Sequence, residues 1–203
     1  PRTAPGKSGH LGKGKPGGRV RVLEDVDGDG RYDKTTLFAD GLNFPTGLLT
    51  WRDGVLVTAA PEILFLRDSD GDGKADVKQV LFSGFLEGNQ QLRVNSLRWG
   101  LDNWIYCAIG AHHGGYGAAT KIKSHLNSRE YEIGSRDFRF RPDTGELEAQ
   151  SGPSQFGRNP DDWGNWFGVQ NSWPLWHYVL QDHYIRRNPH VPAGFWRGVN
   201  LNQ

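Results

Sequence analysis

The stretch Asp25-Val26-Asp27-Gly28-Asp29-Gly30-Arg31-Tyr32-Asp33 returns 43 residues later as Asp68-Ser69-Asp70-Gly71-Asp72-Gly73-Lys74-Ala75-Asp76. The match extends outward at the same offset: Leu23 aligns with Leu66, Phe38 with Leu81 and Gly41 with Gly84. Past a short insertion, Leu48 matches Leu97, and Asp53-Gly54-Val55-Leu56-Val57 matches Asp102-Asn103-Trp104-Ile105-Tyr106. A third, more diverged copy offers Phe138-Arg139-Phe140-Arg141-Pro142-Asp143-Thr144-Gly145 as strand and turn. Asp162-Trp163-Gly164-Asn165-Trp166-Phe167 then repeats the aspartate-turn-aromatic step. A repeat period in the low forties is that of a four-stranded propeller blade.

Local patterning agrees with strands. Arg19-Val20-Arg21-Val22 and Asp137-Phe138-Arg139-Phe140-Arg141 alternate polar and apolar side chains, as half-buried strands do. Asp53-Gly54 and Asp143-Thr144-Gly145 are turn signals between such runs. With 28 Gly, 8 Trp, 10 Phe and 6 Tyr, the chain suits short strands joined by tight turns better than long helices. The expected fold is therefore all-β: a partial β-propeller of about three four-stranded antiparallel blades from a six- or seven-bladed ring. Blade repeats are expected around 19–60, 61–110 and 136–175, with a further blade opening at 176–203 through Trp176-His177-Tyr178-Val179-Leu180. Residues 1–18, rich in Gly, Pro and Lys and without an acid, are set apart as a flexible segment. The chain starts at Pro1, contains no Met, and holds fewer blades than the four a ring needs, so a fragment of a larger domain is expected.

The aspartate loops carry the clearest chemistry. Each places Asp at its first, third, fifth and ninth positions: Asp25, Asp27, Asp29 and Asp33, then Asp68, Asp70, Asp72 and Asp76. Calcium takes six to eight oxygen ligands, and this spacing wraps carboxylates around one point. Gly30 and Gly73 permit the sharp bend. The twelfth position, where a helix-loop-helix sensor needs a bidentate Glu, holds Thr36 and Gln79. The loops therefore read as structural calcium sites within β-hairpins, weighed against plain Asp/Gly turns with solvated acids.

Composition excludes several classes. Lys+Arg is 24 and Asp+Glu 23, so no net charge points to nucleic acid. No apolar run is long enough to span a bilayer. The lone Cys107 rules out an internal disulfide framework and a cysteine-based zinc site, and is expected to be buried and inert.

Several segments resemble the PVC-type membrane-bound dehydrogenases. They are Gly18–Asp25 with the first aspartate loop, Phe38-Ala39-Asp40-Gly41-Leu42, Val57-Thr58-Ala59-Ala60-Pro61, Gly88-Asn89-Gln90-Gln91-Leu92-Arg93-Val94-Asn95 and Arg98–Tyr106. Ser154-Gln155-Phe156-Gly157, Asp161-Asp162-Trp163-Gly164-Asn165 and Arg187-Asn188-Pro189-His190 continue the likeness. The resemblance implies an extracytoplasmic protein, in the periplasm or at the cell surface, with a redox role like that of glucose/sorbosone dehydrogenase propellers. It implies a sugar- or alcohol-type substrate and, as partner, a haem-c module with a CxxCH motif elsewhere in the full-length protein; this chain has no such motif. Quinoprotein propellers of that type place a catalytic His shortly before the strand matching Trp99–Tyr106. Gln90-Gln91-Leu92-Arg93 stands there instead, which counts against a pyrroloquinoline quinone site.

Candidate site residues follow from where propeller loops converge. His112 and His113, next to Gly114 and Gly115, combine proton-transfer chemistry with close backbone access. Arg93 and Asn95 precede an inner strand, where an Arg can bind a carboxylate or an anionic cofactor. His177, between Trp176 and Tyr178, reads as a packed histidine. Trp99, Trp104, Trp163 and Trp166 are expected to pack between blades. The competing function is a non-catalytic, calcium-stabilised propeller that binds carbohydrate or protein.

Overall fold

The structure, a computed structural model, describes residues 16–110, 121–188, 190 and the backbone of Val199–Asn200. Strand β1 (Gly18–Glu24) and β2 (Lys34–Leu42) pair antiparallel across the first aspartate loop. Next, β3 (Gly47–Trp51), β4 (Gly54–Ala59), β5 (Glu62–Arg67) and β6 (Val77–Ser83) form an antiparallel meander, with the second aspartate loop joining β5 to β6. The sequence repeat is therefore also a structural one. Asp33 N–H donates to Glu24 O at 3.0 Å and Asp76 N–H to Arg67 O at 3.1 Å, closing the two loops in the same way.

Strands β7 (Asn95–Trp99) and β8 (Ile105–Ala108) open a third sheet. The hairpin of β9 (Lys121–Ser124) and β10 (Glu130–Glu132) leaves that sheet and pairs β9 to β6, so the second sheet has six strands ordered β10-β9-β6-β5-β4-β3. The third is completed by β11 (Phe138–Phe140) and β12 (Leu147–Ala149) in the order β12-β11-β8-β7. A fourth joins β13 (Arg158–Pro160), β14 (Trp166–Gly168), β15 (Trp176–His177) and β16 (Val199–Asn200) in sequence. The described residues are thus mostly β, in antiparallel sheets of two to six strands.

The sheets are phased differently from the repeat units 19–60, 61–110 and 136–175. Those units run from one aspartate hairpin to the next. Hydrogen bonding instead groups β3 and β4 with the second aspartate hairpin, so residues 47–83 share one sheet, while β1 and β2 pair only with each other among the described residues. The third unit is split: β11 and β12 close the third sheet, and β13 and β14 open the fourth. Strand begins at Gly18, inside the segment set apart by composition, and residues 1–15 lie outside the described ones. The strand expected over residues 176–180 is shorter, Trp176–His177.

Apolar faces hold the sheets face to face. Val20 and Leu42 of the first hairpin pack on Val57, Ala59, Leu64 and Leu66 of the second sheet. Between the second and third sheets lies the largest core, with Phe82 edge-on to Phe140 at 5.1 Å and Phe85 stacked on Phe138 at 5.3 Å. Each fully buried Phe contributes about 1.5–3 kcal/mol of transfer free energy. Between the third and fourth sheets, Tyr106 stacks on Trp166 at 3.9 Å, flanked by Trp104, Trp176 and Tyr178. The first strands of these three sheets also come together, with β7 lying against both β3 and β13.

Trp104 and Trp166 fill the space between sheets as expected, but Trp99 and Trp163 do not. Trp163 is 84% exposed. The Asp161 carboxylate accepts from Trp163 N–H and Asn165 N–H, and the Asp161 carbonyl from Gly164 N–H, so the tryptophan sits at the apex of a turn. Trp163→Ser should accordingly change unfolding free energy by no more than about 0.5 kcal/mol, as at most surface sites. A chemical-denaturation curve measures this, and a larger loss would mean that the turn packs on something.

Candidate functional site

The two aspartate loops have the same geometry. In the first, Asp25 accepts from Gly28 N–H at 2.7 Å and from Gly30 N–H at 2.9 Å, one bond to each carboxylate oxygen. Asp27 accepts from Asp29 N–H, and Asp29 from Arg31 N–H. Asp68, Asp70 and Asp72 make the equivalent bonds to Gly71, Gly73, Asp72 and Lys74. Each triad, Asp25-Asp27-Asp29 and Asp68-Asp70-Asp72, brings one oxygen per residue within 4.8 Å of the others, and could hold a metal ion. The donors are all hard oxygens, the set suited to calcium or magnesium rather than to a soft metal.

The ninth-position acids stand apart from the triads. Asp33 accepts from Val26 N–H at 3.0 Å. Asp76 accepts from Ser69 N–H at 2.7 Å and from the Ser69 hydroxyl. They staple the loop ends together. The Gly73 N–H, helped by that of Gly71, holds the Asp68 carboxyl below the ordinary carboxylate value, and the Ser69 hydroxyl does the same for Asp76.

Arg93 and Asn95 converge on one cavity. It has a volume of about 380 Å³ and is lined by Phe44, Pro45, Thr46, Gln90, Gln91, Arg93, Asn95 and Phe156. Phe44 to Thr46 come from the β2–β3 connection, and Gln90 to Arg93 from the segment that leads into β7. A second cavity of about 340 Å³ shares Thr46, Asn95 and Phe156 with it and continues along Ser96, Arg98 and Asn159. Two wall residues have left-handed backbone without being glycine: Phe44 at φ 47° and Ser96 at φ 60°. Such strain gathers at functional sites.

The two candidates differ in how they are used. The Asn95 amide donates to Arg93 O at 2.8 Å and to Gln155 O at 2.9 Å, so its donors are committed to holding the cavity wall. The Arg93 guanidinium lies over the Phe44 ring at 5.1 Å and donates from Nη2 to Glu87 O at 2.7 Å. Its Nε and Nη1 are buried and have no hydrogen-bond partner among the described residues.

His112 and His113 lie outside the described residues. Of the residues flanking their segment, Gly110 packs on the Arg93 backbone and Lys121 on Gly84 at the end of β6. A Cβ on Gly110 would sit 2.1 Å from Arg93 O, and one on Gly84 would sit 2.3 Å from Lys121 O. His177 stacks on Phe167 at 4.9 Å, as a packed histidine would.

The family model described as "Domain of unknown function (DUF7133)" matches residues 4–201. The chain belongs to the DUF7133 family. Among the curated proteins and solved structures compared with it, none matches.

The DUF7133 domain also contains a buried polar cluster that motif spacing does not signal. Asp137 is wholly buried and accepts four hydrogen bonds: from Ile109 N–H at 3.1 Å, Ser154 N–H at 2.8 Å, the Ser154 hydroxyl at 2.6 Å and Arg158 Nη1 at 3.3 Å. The Arg158 guanidinium also donates to Ser151 O at 2.8 Å and lies among the rings of Tyr106, Trp166 and Tyr178. Burial raises the Asp137 carboxyl above its ordinary value, against the opposing pull of Arg158. Burial also pushes up the Cys107 thiol, with the Asp137 charge adding to it, which keeps the thiol protonated and inert. The cluster joins the third and fourth sheets of the DUF7133 domain.

Proposed function

We propose that this domain is part of a β-propeller, pinned by calcium at its two aspartate loops, that binds a small sugar-like ligand in the cavity around Arg93. The observation that carries the proposal is the convergence of Arg93, Asn95, Thr46 and Gln90 on one open cavity beside the clustered first strands. A few polar groups set among apolar walls in a cavity of this size are the usual make-up of a small-molecule site. The propeller reading draws support from the meanders stacked face to face with β3, β7 and β13 together. It also draws on the aspartate hairpin recurring on the outer two strands.

A second reading makes the same cavity part of a dehydrogenase. It rests on the resemblance to the PVC-type membrane-bound dehydrogenases, with an extracytoplasmic location, oxidation of a sugar or alcohol, and electrons passed to a haem-c module. The described cavity wall has no carboxylate or imidazole to take a proton. Oxidation would therefore need His112 and His113, and the anchoring of Gly110 on Arg93 is the observation in favour. Binding is the better supported of the two, because it needs only residues on the wall.

Calorimetric titration of the intact protein with neutral sugars, polyols and sugar acids tests binding. Heat of binding that is lost in Phe156→Asp is the expected result, and absence of binding by every member would overturn the proposal. Dye reduction by the intact protein tests oxidation. Any turnover should disappear in His112→Ala/His113→Ala with the thermal melt unchanged, and turnover that persists would place the chemistry elsewhere.

A further inference from the structure

We infer that the ligand of this cavity carries a carboxylate, and that Arg93 with Gln90 forms its recognition site. The inference rests on the cavity being a ligand site at all, and it adds the chemical class of what enters.

Arg93 is only 5% exposed. A buried guanidinium is costly unless its donors and its charge are matched. Here one of the three nitrogens is satisfied, by the neutral carbonyl of Glu87. No carboxylate lies within 4.0 Å of the guanidinium among the described residues; the Glu87 side chain is turned to Asn43 Nδ2, at 2.6 Å. The Phe44 ring offers its π face, which is attractive but accepts no N–H in the guanidinium plane. Nε and Nη1 thus leave an unmatched donor on each of the two edges that flank Nη2, and the positive charge is uncompensated. The second N–H of Nη2, taken with Nη1 or with Nε, gives two in-plane donors that match the two oxygens of a carboxylate.

Gln90 adds an independent observation. Its Nε2 is also buried without a partner among the described residues, and it lines the same cavity. It stands on the short 3₁₀ turn Gln90–Leu92, whose first residue is fixed by Asn89 accepting from Gln91 N–H at 2.9 Å. Two unmatched donor side chains on one wall, with no acid on that wall, select an anionic acceptor. A neutral sugar hydroxyl would satisfy a donor but leave the charge uncompensated.

The test compares matched probes on the intact protein by calorimetry: glucose, gluconate and glucuronate, each at low and high salt. The expected result is that the acids bind at least tenfold more tightly than glucose, with the margin narrowing in salt. Arg93→Lys should reduce acid affinity about tenfold, because the ammonium keeps the charge but loses the paired donors. Gln90→Leu, at a less buried position, should weaken acid binding several-fold, and it decides the matter if Arg93→Lys does not fold. Equal affinity for acid and neutral sugar, unmoved by either variant, would overturn the carboxylate assignment and leave the binding site standing. Failure of all three probes and of the wider sugar panel would overturn both.

Discussion

Replacing Arg158 by methionine is expected to destabilise the protein by about 3–5 kcal/mol, the usual cost of stranding one partner of a buried ion pair. The Arg158 and Asp137 side chains are 3% and 0% exposed, so water cannot compensate the charge left behind. The loss should be relieved by acid. Burial already holds the Asp137 carboxyl above its ordinary value, and without the guanidinium that value rises further. For a raised acid the folded state binds its proton more tightly than the unfolded state. The variant should therefore gain stability as pH falls through the folded value and lose it as pH rises. Asp137→Asn combined with Arg158→Met removes both charges and should recover much of the loss. Urea unfolding of the parent protein and the two variants across pH measures all of this. A single variant that loses less than about 1 kcal/mol, with no pH response, would show that the pair is solvated in the native protein.

Calcium should raise the melting temperature of the intact protein, and chelator should reverse the effect. An ion that binds only the native state stabilises it by mass action, by about 2.7 kcal/mol per site at a hundredfold excess over its dissociation constant. Magnesium should act weakly, because it demands a tighter octahedral shell and releases water reluctantly. Asp29→Ala together with Asp72→Ala takes one oxygen from each triad and should abolish the response. The loops also have a pH dependence of their own in chelator. The Asp68 and Asp76 carboxyls sit below their ordinary 3.8, held there by Gly73 N–H and by the Ser69 hydroxyl. Their contribution is thus present above that ordinary value and is lost as pH falls through the depressed ones. Asp76 is exposed and Asp68 is half-buried at the surface, so this part is small beside the effect of the ion. Identical melts in calcium and in chelator would mean that the loops are ordinary turns.

What the sequence made legible was short-range. The aspartate hairpins depend on nine consecutive residues whose spacing fixes both the turn and its hydrogen bonds, and so they appear where the repeat places them. Arg93 and Asn95 are legible because they stand just before and at the start of a strand whose repeat partner is clear. Much of the rest depends on long-range pairing. Nothing local to Lys121–Ser124 says that it pairs with Phe82 and Ser83 rather than with its sequence neighbour β8. Asp137 looked like one polar residue of an alternating strand; its partners Ser154 and Arg158 lie 17 and 21 residues away. Phe44 and Phe156 reach the cavity from connections whose course no periodicity describes. Trp163 shows the opposite error: tryptophan predicts burial on average, but two backbone bonds to one aspartate put it at an exposed apex.

The β9–β10 hairpin lies along the chain between two strands of the third sheet, yet it hydrogen-bonds to the outer strand of the second. Its borrowed position ties the fates of the two sheets together. If the third sheet opens, the hairpin is released with it and Phe82 and Ser83 lose their outer partner, which leaves the outer edge of β6 bare to its end. A bare edge of that kind is a template for another chain to add to. Partial opening is therefore discouraged twice, since it would break pairing in both sheets and expose a sticky border. The second and third sheets are therefore expected to open together rather than one by one, with similar protection of their amides in native-state hydrogen exchange.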